Sequence, residues 1–162
     1  MIVVSDTSPL NYLILIGQAH LLPDLFHRVM APPAVVAELR HPDSPDLVKA
    51  WAASPPDWLE VVSPSLIDFS IELGRGEVEA ISLAKEVKAD AVLIDERKAV
   101  RVAKKLGLQV MGTLGILGLA AEKRLLDLGQ AIAALRQTTF RGPEELMEEL
   151  LRIDANRRTE QP

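Results

Sequence analysis

Cysteine is absent from the 162 residues. That excludes disulfides, thiolate-bound zinc, iron–sulfur clusters and a thiol nucleophile, and it suits a reducing compartment. Aromatic side chains make up only 4%, too few for a platform on which successive bases stack. Positive charge is in deficit, with 18 Lys and Arg against 23 Asp and Glu and a net charge of -5. This excludes a protein that coats nucleic acid by bulk electrostatics, but not one that works through metal ions and a local basic stripe. The longest apolar stretches are interrupted by Asn, Gly, Gln or charges well short of a membrane span, and no basic segment precedes an apolar one at the N-terminus. The expectation is a soluble, cytoplasmic protein with no membrane partner. There is no GxGxxG, no P-loop lysine, no repeat and no low-complexity segment, and His20, His27 and His41 have neither ligand spacing nor a nucleophile beside them.

What is present is an alternation. Short apolar runs at 2–4, 29–31, 58–62, 91–94 and 108–111 are separated by segments with apolar residues at helical spacing, which predicts a layered α/β fold with a parallel sheet of four or five strands between helices. Ser8 followed by Pro9 reads as a cap and first helical position, giving a helix from Pro9 to Leu15 ended by Gly17. APPAVVAELRHP reads as a helix entered through Pro32 and Pro33 and stopped before Pro42, with Glu38 in its last turns. Asp46 to Ala53 reads as a surface insertion, and a further helix starts at Gly76 or Glu77. From about residue 114 the pattern is helical throughout. The expectation is one domain over 1–153 with a helical C-terminal extension, then a charged, frayed tail over 154–162.

Ligands of open parallel sheets bind outside the carboxyl ends of the strands. Asp6 follows the first strand, and Asp95 with Glu96 follows the AVLI strand, so two acids point at one region if those strands are neighbours. Glu77 precedes Ala80 and Ile81 by three and four residues, at the top of the buried face of its helix, whereas Glu79 leads toward Ser82, Leu83 and Glu86, a more solvated direction. Glu38 lies between apolar neighbours on its own helix. Each acid alone has an ordinary explanation as a cap, a dipole partner or a solvated residue. Together they would repel one another unless a cation sat among them, and a set of oxygen ligands without His or Cys favours Mg²⁺ or Mn²⁺. Such a centre suits phosphoryl chemistry, with Thr7, Ser8 or Thr113 available to orient a water. Arg97 and Arg101, on one face with Lys104 and Lys105, are placed to meet a phosphate backbone, although a solvated face is the commoner use of such a stripe.

VVSDTSPL at the N-terminus, VVAEL at 35–39, GEVEAISLA at 76–84, LIDERKAVRVAKKLGL at 93–108 and VMGTLGIL at 110–117 occur in an order that resembles the PIN-domain proteins. More narrowly, the set is similar to the nucleic-acid-binding branch related to VapC-type toxins. The resemblance implies a metal-dependent ribonuclease fold with Asp6, Glu38, Glu77 and Asp95 as its converging acids. It also implies RNA as substrate, a small antitoxin partner and a homodimer. The family more often has Asp where Glu77 stands, and within the pairs Glu77/Glu79 and Asp95/Glu96 both members remain candidates. Two other readings compete: a PIN scaffold that binds RNA or a protein without cutting, and a phosphoacceptor receiver module. The receiver would need paired acids at the first strand and a lysine ending the last; Asp6 is followed by hydroxyls, and VMGTLG has no lysine near it.

Overall fold

The computed structural model describes residues 1–160. In chain order its elements are β1 (Ile2–Ser5), α1 (Thr7–Leu15), α2 (Leu21–Leu25), β2 (Arg28–Ala31), α3 (Pro33–Leu39), α4 (Asp46–Ala53), β3 (Leu59–Val61), α5 (Arg75–Val87), β4 (Ala91–Leu93), α6 (Arg97–Lys105), β5 (Val110–Met111), α7 (Thr113–Glu122), α8 (Leu128–Arg136) and α9 (Glu144–Thr159). The five strands form one parallel sheet in the order β3-β2-β1-β4-β5. This is the expected α/β architecture.

Strand pleating sorts the core into two faces. Val4 pairs in register with Met30 and with Val92, so these three project to the same side of the sheet. There they pack with Ala80, Ile81, Leu83 and Ala84 of α5 and Ala99 and Ala103 of α6. Val3, paired with Val29 and Ala91, projects to the opposite side. Strands covered on both faces read as continuous apolar runs, which explains why IVV and AVL show no alternation. Gly17 and Gly107 follow α1 and α6 at φ +72° and +82°, a backbone that L side chains rarely adopt.

By internal contacts the chain forms two compact units, residues 1–113 and residues from 114 onward. In the second unit, Gly118 of α7 lies so close to α9 that a Cβ there would stand 3.1 Å from Leu150.

Two local expectations are corrected. The first helix begins at Thr7, so Asp6 and not Ser8 occupies the position preceding it, and Pro9 is already inside the helix. The charged segment from Asp154 continues α9 to Thr159. The helix carries Glu144 and Glu145 in its first turn and Arg157 and Arg158 in its last, which complements its dipole, and Arg158 bonds Asp154 one turn back at 3.1 Å. Residues 161–162 of the expected tail lie outside the described residues.

Candidate metal centre

The sheet order reverses at the β1/β4 pair: from β1 the chain builds outward to β2 and β3 on one side, then returns to add β4 and β5 on the other. The crevice at such a switch point is where open α/β sheets bind their ligands. The ladder runs past the ends of both strands. The Asp6 N–H donates to the Leu93 carbonyl at 2.9 Å, and the Ile94 N–H donates to Met111 at 3.1 Å. Asp6 and Asp95 therefore leave adjacent strands at adjacent places.

Asp6 is 4% exposed. Its backbone is extended at φ -79° and ψ 178°, and although it occupies the capping position of α1 its side chain makes no capping bond. Its Oδ1 is buried without any hydrogen-bond partner. Burial, and then the nearby charges of Glu77, Glu38 and Asp95, push its pKa from 3.8 up to about 7, against the opposing pull of the Thr7 N–H.

The other three acids are held by donors of the chain itself. Glu38, in the last turn of α3, accepts a short hydrogen bond from the Thr7 hydroxyl on one oxygen and the Gly76 N–H on the other, at 3.0 Å. It thereby ties the N-termini of α1 and α5 together. Gly76 is what allows this approach, because a Cβ there would lie 2.6 Å from Glu38 Oε1. Glu77 reaches back to the Gly74 N–H at 3.2 Å. Its pKa is raised by burial, then by Glu96 and Glu38, while the Gly74 N–H and Lys98 act the other way. Asp95 accepts from the Thr113 N–H at 2.7 Å and the Thr113 hydroxyl at 2.6 Å. Burial raises its pKa and those two bonds counter it.

Glu79 does not behave as its helical position suggested. It is 5% exposed, and its partner is Arg75, at 2.8 Å. The solvated direction assigned to it holds only at Glu86, which is exposed, because Ser82 and Leu83 on the same side are buried. The segment after β3 covers them, with the Asp68 N–H bonded to Ser82 at 3.1 Å. Glu96 caps α6, accepting the Ala99 N–H at 2.9 Å, and is exposed. Neither acid is among the charges that raise the Asp6 pKa. Thr7 and Thr113 each restrain an acid, and Ser8 is half-buried.

Arg97 and Arg101 are exposed on α6. The cation that acts on Glu77, however, is Lys98. It lines a cleft of about 360 Å³ together with Gly74, Glu77 and Glu96. The basic-stripe reading left out Lys98, although it stands three residues before Arg101 and seven before Lys105 and so borders the same face. The available signal was its distance in sequence from Asp95, only three residues.

Among the described residues no group of three or more Asp, Glu or His side chains is already gathered to hold a metal ion. Glu38, Glu77 and Asp95 surround Asp6 electrostatically while each is tethered to a hydrogen-bond donor. The orphaned Oδ1 of Asp6 is the observation that tests the fit of a cation. A buried carboxylate oxygen facing no donor is expensive, and a hard divalent cation satisfies it while cancelling the repulsion of the surrounding acids. The residues fit such an ion.

The chain is a parallel α/β domain with acids at its switch point. The family model described as PIN domain matches residues 2–156, and the chain belongs to that family. Among solved structures, the chain is similar to a PilT N-terminus domain protein from the hyperthermophilic archaeon Sulfolobus solfataricus P2. The identity is 16% and the TM-score 0.49, over 88% of this chain and 100% of that one. No curated protein matches.

Two predictions follow from the geometry of Asp6 and Glu38. Because folded Asp6 holds its proton up to about pH 7 whereas the ordinary value is 3.8, the folded chain binds more protons in that window. The contribution of Asp6 to stability is therefore full below it and lost as pH rises through it. Without metal, the melting temperature should fall between about pH 4 and pH 8 with a component that Asp6→Asn removes. The variant should melt higher at the upper end, by about 2–4 °C for each kcal/mol recovered. A scan in which both proteins share one pH slope would contradict the assignment. Gly76→Ala should displace Glu38 at modest cost to folding, within about 2 kcal/mol, since the gain in helix propensity offsets part of the two hydrogen bonds that Glu38 loses. Titration calorimetry should show Mn²⁺ binding weakened severalfold, and unchanged affinity would separate Glu38 from the centre.

Proposed function

We propose that the protein is a Mg²⁺- or Mn²⁺-dependent endoribonuclease of the VapC-like kind, cutting RNA phosphodiester bonds by attack of water. The single observation supporting this most strongly is the buried, partnerless Asp6 oxygen at the β1/β4 switch point, with Glu38, Glu77 and Asp95 acting on it. Asp6, Glu77 and Asp95 are the proposed ligands, with Glu38 completing the set. A divalent cation there would polarise the phosphate, acidify water and stabilise the leaving oxygen.

The chain's own groups have separate tasks in this reading. Asp6 is the most strongly perturbed acid, so its ionisation is coupled to cation binding and the site should work better as pH rises toward and above 7. Thr113 fixes the orientation of Asp95, and Thr7 with the Gly76 N–H fixes Glu38. Lys98, with Arg97 and Arg101, is placed to meet phosphates that approach the Glu77 side. The net negative charge otherwise keeps nucleic acid off the surface, which favours a local contact over a broad one.

The family reading carries a toxin role with it: a cytoplasmic homodimer neutralised by a small antitoxin. A catalytically silent scaffold would keep the fold without needing four acids around one buried oxygen, so the nuclease reading is preferred.

The nuclease is tested on single-stranded RNA with Mn²⁺ or Mg²⁺, comparing the unaltered chain with Asp6→Asn and Asp95→Asn. Cleavage should fall by at least about a hundredfold in each variant, as expected when a metal-assisted site is disabled. Equal cleavage by all three, or none by any, sinks the proposal. For the toxin role, induced expression in a bacterial host should arrest growth with the unaltered chain and not with Asp95→Asn; equal growth of the two would remove it.

A further inference from the structure

A second cleft lies on the other side of the α5 N-terminus from Lys98. It has a volume of about 630 Å³, within the range of small-molecule sites. Its walls are apolar and aliphatic, from Pro33, Ala34, Ala37, Pro64 and Ile67, and Glu38 of the candidate centre forms part of its lining. Arg75 and Glu79 supply its remaining charge, together with His41 at the edge. Two carboxylates in so small a space repel a phosphate. The occupant that suits the walls is flat, uncharged and rich in N–H donors.

The Arg75–Glu79 pair gives that occupant an identity. The Glu79 side chain is 7% exposed and that of Arg75 is 82% exposed. Only Arg75 Nε is engaged, and only Glu79 Oε2 is bound by it. Among the described residues Glu79 Oε1 has no donor, and the other N–H groups of the guanidinium have no acceptor. The pair therefore presents an acceptor beside a row of donors. Guanine carries the complement on one edge, with the N1–H and N2–H donors adjacent to the O6 acceptor. Adenine and cytosine place an acceptor ring nitrogen next to their single amino donor, and uracil flanks its one N–H with two carbonyls. Each of the three would leave a lone pair facing the carboxylate. Unpaired bases are read in this way on their Watson–Crick edges, with an arginine plane available for stacking.

We propose that this cleft is a guanine subsite beside the cutting centre, with Glu79 as the reading acceptor and Arg75 as the donor for O6. It rests on the nuclease reading above. A guanine base seated here has its ribose toward the Glu38 edge and its phosphates outside the cleft, so the bond cut lies next to an unpaired guanosine.

The test has two arms on the full-length chain. In the first, calorimetry in EDTA compares the uncharged nucleosides guanosine, adenosine, cytidine and uridine. Guanosine should bind about tenfold or more tightly than the others, as a two-donor contact to the free Glu79 oxygen requires. Glu79→Gln should abolish the preference, and Ala37→Leu, which narrows the cleft from an exposed position, should weaken all four nucleosides. In the second, cut positions are mapped with Mn²⁺ on single-stranded RNAs carrying one guanosine among uridines. The unaltered chain should cut at a fixed position relative to the guanosine, and Glu79→Gln should cut without regard to it. Equal binding of the four nucleosides, or preference surviving in Glu79→Gln, overturns the subsite; if the RNA is still cut, the nuclease reading stands. Selection of guanosine with no RNA cut under either metal overturns the nuclease reading, and with it the assignment of the cleft to a substrate strand.

Discussion

A carboxylate buried at the end of a central strand, with one oxygen facing no donor, is a standing cost to the fold. Around Asp6 that cost is increased by three more acids. Much of the local architecture can be understood as the means of keeping these charges near one another without protonating all of them. Glu38 is steadied by Thr7 and the Gly76 N–H, Glu77 by the Gly74 N–H, and Asp95 by both donors of Thr113. Each tether is a helix N-terminus, where unsatisfied N–H groups and the positive end of the dipole favour an anion. Asp6 stands at such a position too, yet its side chain makes no capping bond.

The close packing around those tethers has its own requirement. Gly76 and Gly112 lie where a Cβ would sit 2.6 Å from Glu38 Oε1 and 2.9 Å from Asp95 Oδ1. The glycines are thus part of the acid arrangement, although they contribute no charge. The same close approach of α3 to α5 that brings Glu38 to Gly76 also opens the aliphatic cleft beside it, lined by residues of both helices. The acid cluster and the aliphatic cleft are in this way built from one helix contact.

The strand positions were legible because parallel strands covered on both faces must be apolar throughout, and IVV, VMA and AVL have no other economical reading. The acids at strand ends were legible for the same reason, since an abrupt carboxylate after such a run needs an explanation. Glu79 was misjudged because helical spacing specifies which residues share a face but not what covers it; the segment carrying Asp68 lies over the side taken as solvated. The helix start at Ser8-Pro9 failed because proline is tolerated throughout the first turn, so it marks the turn without fixing the first residue. The charged C-terminal segment was taken as tail because its polarity hid the last turns of α9, where Arg158 pairs with Asp154.

By itself the sequence determined the fold class, the order of the elements and which acids were candidates, because these follow from apolar periodicity and from residue types read along the chain. Tertiary structure decided which acids act on one another. Adjacency of β1 to β4 brings Asp95 beside Asp6, and the packing of α3 on α5 brings in Glu38 across 38 residues of chain. It also decided the partners: Arg75 for Glu79, Thr113 for Asp95, and none for Asp6 Oδ1. Charge interaction and desolvation depend on distance and burial, and neither is a property of sequence position.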